Sequence, residues 1–117
     1  MHEKTIVLIK DFDPRPYGRG PEGEESSGQK FRDEVLAPAL REYEHVHVDL
    51  SGYNRYGRSF LDEAFGGLIR ESGFSGEDIH EKLSYSHDLL QSLIAVIDQR
   101  IEAAIEDSYD APKFPIP

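Results

Sequence analysis

Residues 46–68, VHVDLSGYNRYGRSFLDEAFGGL, set the architecture of this chain. They predict a short strand, a basic loop and a helix that begins at Ser59. The first turn of a helix has unpaired backbone N–H groups and carries the positive end of the helix dipole, so it favours phosphate or another anion. We therefore expect the Ser59 hydroxyl to lie on a contact surface that can be switched.

Both elements of this stretch have one apolar face. Apolar and polar residues alternate over 45–51, which predicts a strand with one buried face. Apolar residues recur at helical spacing from Leu61, and the helix should end near Gly73, which can adopt a left-handed conformation. Ser59 and Asp62 have the spacing of a capping pair. A purely structural alternative is that Ser59 only caps the helix, which is worth about 1 kcal/mol.

Gly66 and Gly67 lie inside this helix, where each costs about 1 kcal/mol relative to alanine. Close approach of another backbone would offset that cost. The adjacent strand and the surface of another protein are the two candidates.

The N-terminal side of the chain predicts three elements. These are a buried strand over Thr5–Phe12, a long loop over Asp13–Gly28 and a helix over Gln29–Tyr43. A Ser-x-x-Gln capping box begins at Ser26. Pro38 lies inside the helix, where its ring clashes with the carbonyl four residues earlier, so we expect a kink or a break.

The C-terminal side predicts a short helix, a strand and a long helix. Ser75 and Asp78 have capping spacing, Leu83–Ser86 alternates as a short strand does, and the last helix begins near Asp88. The apolar stripe of that helix comprises Leu90, Leu93, Ile94, Ile97, Ile101 and Ile105. Residues 111–117 contain three prolines and form a proline-rich tail that cannot continue the helix.

Strands and helices therefore alternate along the chain. This order predicts an α/β fold with a small mixed sheet of three to four strands and helices packed mainly on one face. A chain of 117 residues accommodates one such domain, which we assign to residues 1–110.

Composition excludes several classes of function. The chain has no cysteine, so disulfides and thiolate chemistry are excluded. A formal net charge of −10 at pH 7 opposes binding to nucleic acid. No apolar run reaches the roughly 20 residues that a membrane span needs, and no signal peptide is evident, so we expect a cytoplasmic location.

The few basic residues are unevenly placed. Arg15, Arg19, Arg55 and Arg58 lie in the two loops that flank the predicted strand ends. Local positive potential on an acidic protein favours a specific small-anion site. The alternative is that these arginines only make the loops soluble.

Three segments together resemble a known family. They are Gly28-x-x-Phe31-Arg32-x-x-Val35-Leu36-x-Pro38-Ala39-Leu40, then Val48-Asp49-Leu50-Ser51-Gly52, then Ser59-Phe60-Leu61-Asp62-Glu63-Ala64-Phe65-Gly66-Gly67-Leu68. Over roughly residues 28–108 the chain resembles the bacterial STAS-like domain of unknown function. More distantly it is similar to the STAS domains of anti-sigma-factor antagonists.

This resemblance implies a regulatory role. In the antagonists, a phosphorylatable serine or threonine at a helix start follows a strand ending in Asp-Leu-Ser-like residues, and here Ser59 lies ten residues after Asp49. The implied partner is a protein, an ATPase of the histidine-kinase type. Gly57 and Arg58 stand where the antagonists carry an acidic residue and a second hydroxyl.

Other chemistries match the sequence less well. His45-x-His47-x-Asp49 resembles the start of a metallo-hydrolase pattern, but Leu50 stands where that pattern closes with histidine. Ser59 lacks the Gly-x-Ser-x-Gly turn of a serine hydrolase. The glycine-bearing loop over residues 18–28 lacks the Gly-Lys-Ser/Thr ending of a P-loop.

We therefore predict a non-enzymatic regulatory module without cofactor or metal that binds a protein and is switched by phosphorylation of Ser59. Its contact residues are Tyr53, Asn54, Arg55, Tyr56, Gly57, Arg58, Arg15 and Arg19. Neither nucleic acid nor membrane is an expected partner, and a homodimer is left open. The alternative function is a sensor of a nucleotide or phosphorylated metabolite that uses the arginine-rimmed loop.

Overall fold

The structure is a computed structural model that describes residues 2–20 and 25–110. In chain order these residues form β1 (Glu3–Val7), α1 (Leu8–Asp11), α2 (28–42), β2 (His45–Asp49), α3 (58–70), α4 (Gly76–Lys82), β3 (Leu83–Ser86) and α5 (Gln91–Asp110). A π-helical turn interrupts α2 at Arg32–Leu36 and α3 at Asp62–Gly66. No helix within these ranges is long and apolar enough to cross a bilayer.

The described strands form one open sheet in the order β1-β2-β3, and both strand pairs are parallel. Parallel neighbours need a crossover connection. Helices α1 and α2 provide it between β1 and β2, and α3 and α4 provide it between β2 and β3. The predicted mixed sheet is therefore wrong in strand direction. Because all three strands run the same way, their carboxyl ends meet at one edge.

The predicted alternation in β2 is confirmed. Val46 and Val48 are fully buried, whereas His47 and Asp49 on the opposite face are partly exposed. The buried face of the sheet contributes to one hydrophobic cluster, which also includes Phe31, Leu36, Leu40, Phe60, Phe65, Leu68, Ile97 and Ile101 from the helices.

Strand β1 ends earlier than the apolar segment from which it was predicted. The predicted strand over Thr5–Phe12 ends at Val7, and the chain continues as α1. An Asp11 carboxylate oxygen accepts a hydrogen bond from the Val7 amide at 2.7 Å, and the Phe12 amide donates to the Leu8 carbonyl. These two contacts close a helical turn, so the apolar run is divided between a strand and a helix.

The sequence predicts a kink or a break at Pro38, and of these the break does not occur, because α2 continues through the proline. The Ala37 amide bonds to the Arg32 carbonyl across a wide π-helical turn that lies just before the proline. Such a turn moves the carbonyls with which the ring would otherwise clash. The cap is also one residue later than predicted, because Ser27, not Ser26, accepts the Lys30 amide.

Helix α3 begins one residue before Ser59. Gly57 is the N-cap and Arg58 the first helical residue, so the prediction that Ser59 caps this helix is wrong. The last helical residue is Arg70, and Gly73 has φ of 88°, which confirms the left-handed conformation expected near the end. The Phe74 amide then donates to the Leu68 carbonyl as the chain leaves the helix.

The C-terminal elements follow their sequence signals closely. Both hydrogen bonds of the Ser75–Asp78 capping box are present at the start of α4, and β3 has the predicted bounds. Helix α5 begins at Gln91, three residues later than expected. Its stripe is largely buried at Leu93, Ile97, Ile101 and Ile105. The predicted tail at residues 111–117 lies outside the described residues.

Candidate functional site

The candidate site lies where β2 leads into α3. β2 ends at Asp49, and the loop over residues 50–57 delivers the chain to Arg58. This loop starts at the carboxyl edge of the parallel sheet, which is where open α/β sheets bind their ligands. The fold therefore places the loop identified in the sequence at the edge where a binding site is expected.

Ser59 is the second residue of α3, and its side chain is exposed. The Gly57 cap supplies no side-chain hydrogen bond to this helix start. Within the described residues the Ser59 hydroxyl has no hydrogen-bond partner, so it is accessible for modification. Ser59 thus lies in the first turn but does not stabilise it as a cap.

A groove of about 390 Å³ joins this first turn to an earlier segment of the chain. It is lined by Tyr17, Gly18, Arg19, Gly57, Arg58, Ser59 and Phe60. Of the predicted contact residues, Arg19, Gly57 and Arg58 therefore lie beside Ser59. Arg15 and Arg55 are exposed but do not line the groove.

Arg19 is bonded to carboxylates of α3. Its Nη1 lies 2.8 Å from Asp62 Oδ2 and 3.1 Å from Glu63 Oε1. The hydrogen bond to Asp62 is the main reason that the pKa of Arg19 is raised above its ordinary value. The Arg19 side chain is still 48% exposed, so the ion pair lies at the surface of the groove.

Asp62 and Glu63 are at the centre of an ion cluster that the sequence analysis did not predict. Arg70 and Arg100 also contact Asp62, at 3.0 and 3.5 Å, and Arg32 contacts Glu63 at 2.8 Å. Burial alone would raise the pKa of Asp62, but the hydrogen bonds from its arginine partners outweigh this effect and lower it. We call Arg19, Arg32, Asp62, Glu63, Arg70 and Arg100 the ion cluster.

Arg32 is the buried member of the ion cluster. Only 3% of the residue is exposed, and its Nη1 also donates to the Glu63 backbone carbonyl at 2.8 Å. A buried guanidinium requires such partners, because an unpaired charge is costly to remove from water. The contact joins α2 to α3 at their two π-helical turns.

The glycine pair of α3 makes room for this cluster. A Cβ on Gly67 would lie 2.0 Å from Arg32 Nη1, and one on Gly66 would lie 2.8 Å from Arg70 Nη1 and 3.2 Å from the Arg100 carbonyl. The expected close approach of another backbone is confirmed at Gly66, but that backbone belongs to α5 and not to the adjacent strand. At Gly67 the nearest group is the Arg32 guanidinium.

Tyr56 points inward from the site loop. It is only 8% exposed, its ring packs edge-on against Tyr53 at 5.0 Å and tilted against Phe60 at 5.9 Å, and burial raises the pKa of its hydroxyl. That hydroxyl is buried without a hydrogen-bond partner among the described residues. Tyr56 therefore anchors the loop. The exposed members of the loop are Gly52, Asn54, Arg55 and Gly57, and Arg58 follows them as an exposed residue at the start of α3.

His87 holds the loop in place, a role that the sequence analysis missed. It is buried after the end of β3, where its Nδ1 accepts the Leu89 and Leu90 amides, each at 3.0 Å. Its Nε2 therefore carries the proton and donates to the Tyr53 carbonyl at 2.9 Å. The available signal was its position directly after a strand whose carboxyl end shares an edge with the site loop.

The two histidines of β2 contact serines of β3. His47 Nδ1 lies 2.6 Å from Ser84 Oγ and its Nε2 lies 2.8 Å from Ser86 Oγ, while His45 Nε2 lies 3.0 Å from Ser84 Oγ. Among the described residues, no group of three or more histidine and carboxylate side chains is arranged to hold a metal ion. This face of the sheet therefore presents a hydrogen-bonded row of imidazoles and hydroxyls.

A family model described as a STAS-like domain of unknown function covers residues 27–88, which is more than half of the chain. The matched part contains α2, β2, the site loop and the ion cluster apart from Arg19 and Arg100. No curated protein and no solved structure gives a significant match.

Proposed function

Because the chain belongs to the family of STAS-like domains of unknown function, we propose that it is a non-enzymatic regulatory module. The surface that binds a partner protein consists of the exposed part of the site loop and the first turn of α3. Phosphorylation of Ser59 switches this binding. In that step the phosphoryl group passes from ATP to Ser59 Oγ, ADP leaves, and the hydroxyl proton is released.

The observation that carries this proposal is the environment of Ser59. The hydroxyl is exposed in the first turn of α3, where helix dipole and backbone N–H groups favour a dianion. Arg58 is the neighbouring residue in the same turn, and Arg19 lines the same groove as Ser59. These two guanidinium groups on an otherwise acidic chain support a site for phosphate.

The kinase is an ATPase of the histidine-kinase type and the location is cytoplasmic, as the resemblance and the sequence suggest. The helices pack mainly on one face of the sheet. The partly exposed His45, His47 and Asp49 on the opposite face support that arrangement.

The test compares Ser59 with a matched serine elsewhere. Ser92 is also the exposed second residue of a helix, α5. Immobilised wild type, Ser59→Ala, Ser59→Asp and Ser92→Asp are incubated with a cell extract, and retained proteins are quantified. We expect a protein whose retention is lost or gained with Ser59→Asp and unchanged with Ser92→Asp. Equal retention by all four would refute the switch, provided circular dichroism shows the same fold.

A second candidate function is supported by the groove. Its volume of about 390 Å³ falls within the range of small-molecule sites, and Arg19 and Arg58 line it. A sensor of a nucleotide or phosphorylated metabolite should show thermal stabilisation by its ligand that disappears in Arg58→Ala and persists in Arg55→Ala, because Arg55 lies outside the groove. If no member of a nucleotide panel stabilises the chain, the protein-binding function is favoured.

A further inference from the structure

The segment over residues 16–20, which we call the strap, bridges α2 and α3. Its backbone pairs with the start of α2, where the Gly28 amide donates to the Gly18 carbonyl at 2.8 Å and the Gln29 amide donates to the Arg19 carbonyl at 3.0 Å. The Arg19 side chain reaches in the other direction to Asp62 and Glu63. Arg19 therefore links the strap to α3 through two ion pairs.

Ser59 lies on the same side of α3 as the carboxylates that hold Arg19. Asp62 and Glu63 follow it by three and four residues, and residues at these spacings are neighbours on a helix surface, about 5–6 Å apart at Cβ. Ser59 and Arg19 also line the same groove. A phosphate on Ser59 would consequently stand beside a half-exposed guanidinium.

If Arg19 moves away, the carboxylates of Asp62 and Glu63 still have other cationic partners. Asp62 keeps Arg70 and Arg100, and Glu63 keeps Arg32. A phosphoserine carries about −1.5 to −2 charges, more than either carboxylate, and its oxygens match the paired donors of a guanidinium. The charge of the phosphate thus favours the exchange of partners, and each carboxylate keeps an arginine partner afterwards.

We propose that Arg19 releases Asp62 and Glu63 and binds the oxygens of a phosphate on Ser59 instead. This exchange moves the strap over the groove. The inference rests on the proposed role of Ser59 as phosphoacceptor. Modification then changes the shape of the binding surface as well as its charge. This rearrangement involves only residues of the chain itself and requires no partner protein.

The experiment installs phosphoserine at position 59 during translation, so no kinase is required. Amide hydrogen exchange at Gly28 and Gln29 reports on the strap, because both amides donate to strap carbonyls. We expect exchange at these two amides to change by about fivefold or more on modification. Arg15→Gln is the matched control, since Arg15 is exposed and its side chain has no ionic partner among the described residues.

The expected pattern is a change in wild type and Arg15→Gln and none in Arg19→Gln. The same change in Arg19→Gln, or no change in wild type, would overturn the proposal. If Arg19→Gln fails to fold, the guanidinium resonances of the wild-type chain decide, because those of Arg19 must shift on modification and those of Arg15 must not. The hydrogen-exchange experiment contains no partner protein. Its outcome is therefore independent of the partner-binding test of Ser59.

Discussion

Of the two glycines beside the ion cluster, Gly67 is the one at which an added side chain would meet the shorter contact. Alanine normally stabilises a helix interior relative to glycine by about 1 kcal/mol. Here the added methyl would lie 2.0 Å from Arg32 Nη1, a guanidinium that is itself buried. We expect Gly67→Ala to lower the free energy of unfolding by about 1–3 kcal/mol, as overpacking does.

Urea denaturation of Gly67→Ala measures this effect, and Gly57→Ala is its control. A Cβ on Gly57 meets nothing within 4 Å, so that variant should lose less than about 1 kcal/mol, the cost of a poorer N-cap residue. Stabilisation by Gly67→Ala would contradict the packing of Arg32 against this glycine.

Titration of Asp62 makes the free energy of unfolding depend on pH in the acidic range. Burial opposes the shift, but Arg19 and Arg70 hold the pKa of Asp62 below its ordinary value of 3.8. The unfolded chain therefore binds a proton at this carboxyl at higher pH than the folded chain does. The stabilisation is complete above the ordinary value and is lost as pH falls through the folded value.

The acid-dependent loss should be smaller in Asp62→Asn than in wild type when denaturation is followed from about pH 5 to pH 2. Asn removes the titration while keeping the size of the side chain. Asp107→Asn, at an exposed position on α5, is the control and should keep the wild-type slope. Equal slopes in wild type and Asp62→Asn would show that the arginines do not stabilise the ionised form of Asp62.

The residues of the site were only partly predictable from the sequence. Ser59 and Arg58 were identifiable because their signal is local, a basic loop followed by a helical pattern. The partners of Arg19 are 43 and 44 residues away along the chain, a separation that no periodicity reveals. The glycine pair indicated a close contact, but its nature depends on Arg32, which comes from a different helix.

Among the secondary-structure elements, His87 connects the end of β3 to the site loop and to the residues just before α5. It makes three hydrogen bonds in a buried position, with the Tyr53 carbonyl and the Leu89 and Leu90 amides. In His87→Ala these partly buried groups lose their partner. We expect the free energy of unfolding to fall by about 1–3 kcal/mol, the range for removing a buried hydrogen-bond partner.

Denaturation of His87→Ala should be compared with that of His80→Ala. His80 contacts Glu102 at 2.8 Å, but both side chains are exposed, so its removal should cost at most about 1 kcal/mol. Hydrogen exchange at Leu89 and Leu90 should also accelerate in His87→Ala alone. Similar losses in the two variants would argue against a special role of the buried histidine.

Most elements were predictable because their signals are periodic or local. The alternation of β2 and the capping box of α4 required only neighbouring residues, and both are confirmed. Two of the errors involve local hydrogen bonds that have no periodic signal. The Asp11 carboxylate accepts the Val7 amide at the start of α1, and a π-helical turn precedes Pro38 within α2. Strand direction depends on how the crossovers pack.

The net negative charge of the chain and the attractive ion cluster make opposite contributions to the salt dependence of stability. The chain carries a formal net charge of −10, so its exposed carboxylates repel one another. Salt screens exposed charges, whereas the cluster carboxylates of Asp62 and Glu63 are only 13% and 15% exposed and are screened less. Repulsion should therefore weaken before the cluster does.

We accordingly expect the free energy of unfolding to rise as NaCl increases from about 0.01 M to 0.15 M, over which the screening length falls from about 30 Å to 8 Å. Urea denaturation at each salt concentration measures the rise, and KCl at equal ionic strength separates screening from binding of a specific ion. Charge reversal at Glu106→Lys, on the exposed face of α5, should reduce the rise because it removes part of the repulsion. A fall in stability with salt would mean that attraction among half-exposed pairs such as Arg19 with Asp62 outweighs the net repulsion, and that the cluster stabilises the fold mainly from its solvent-facing side.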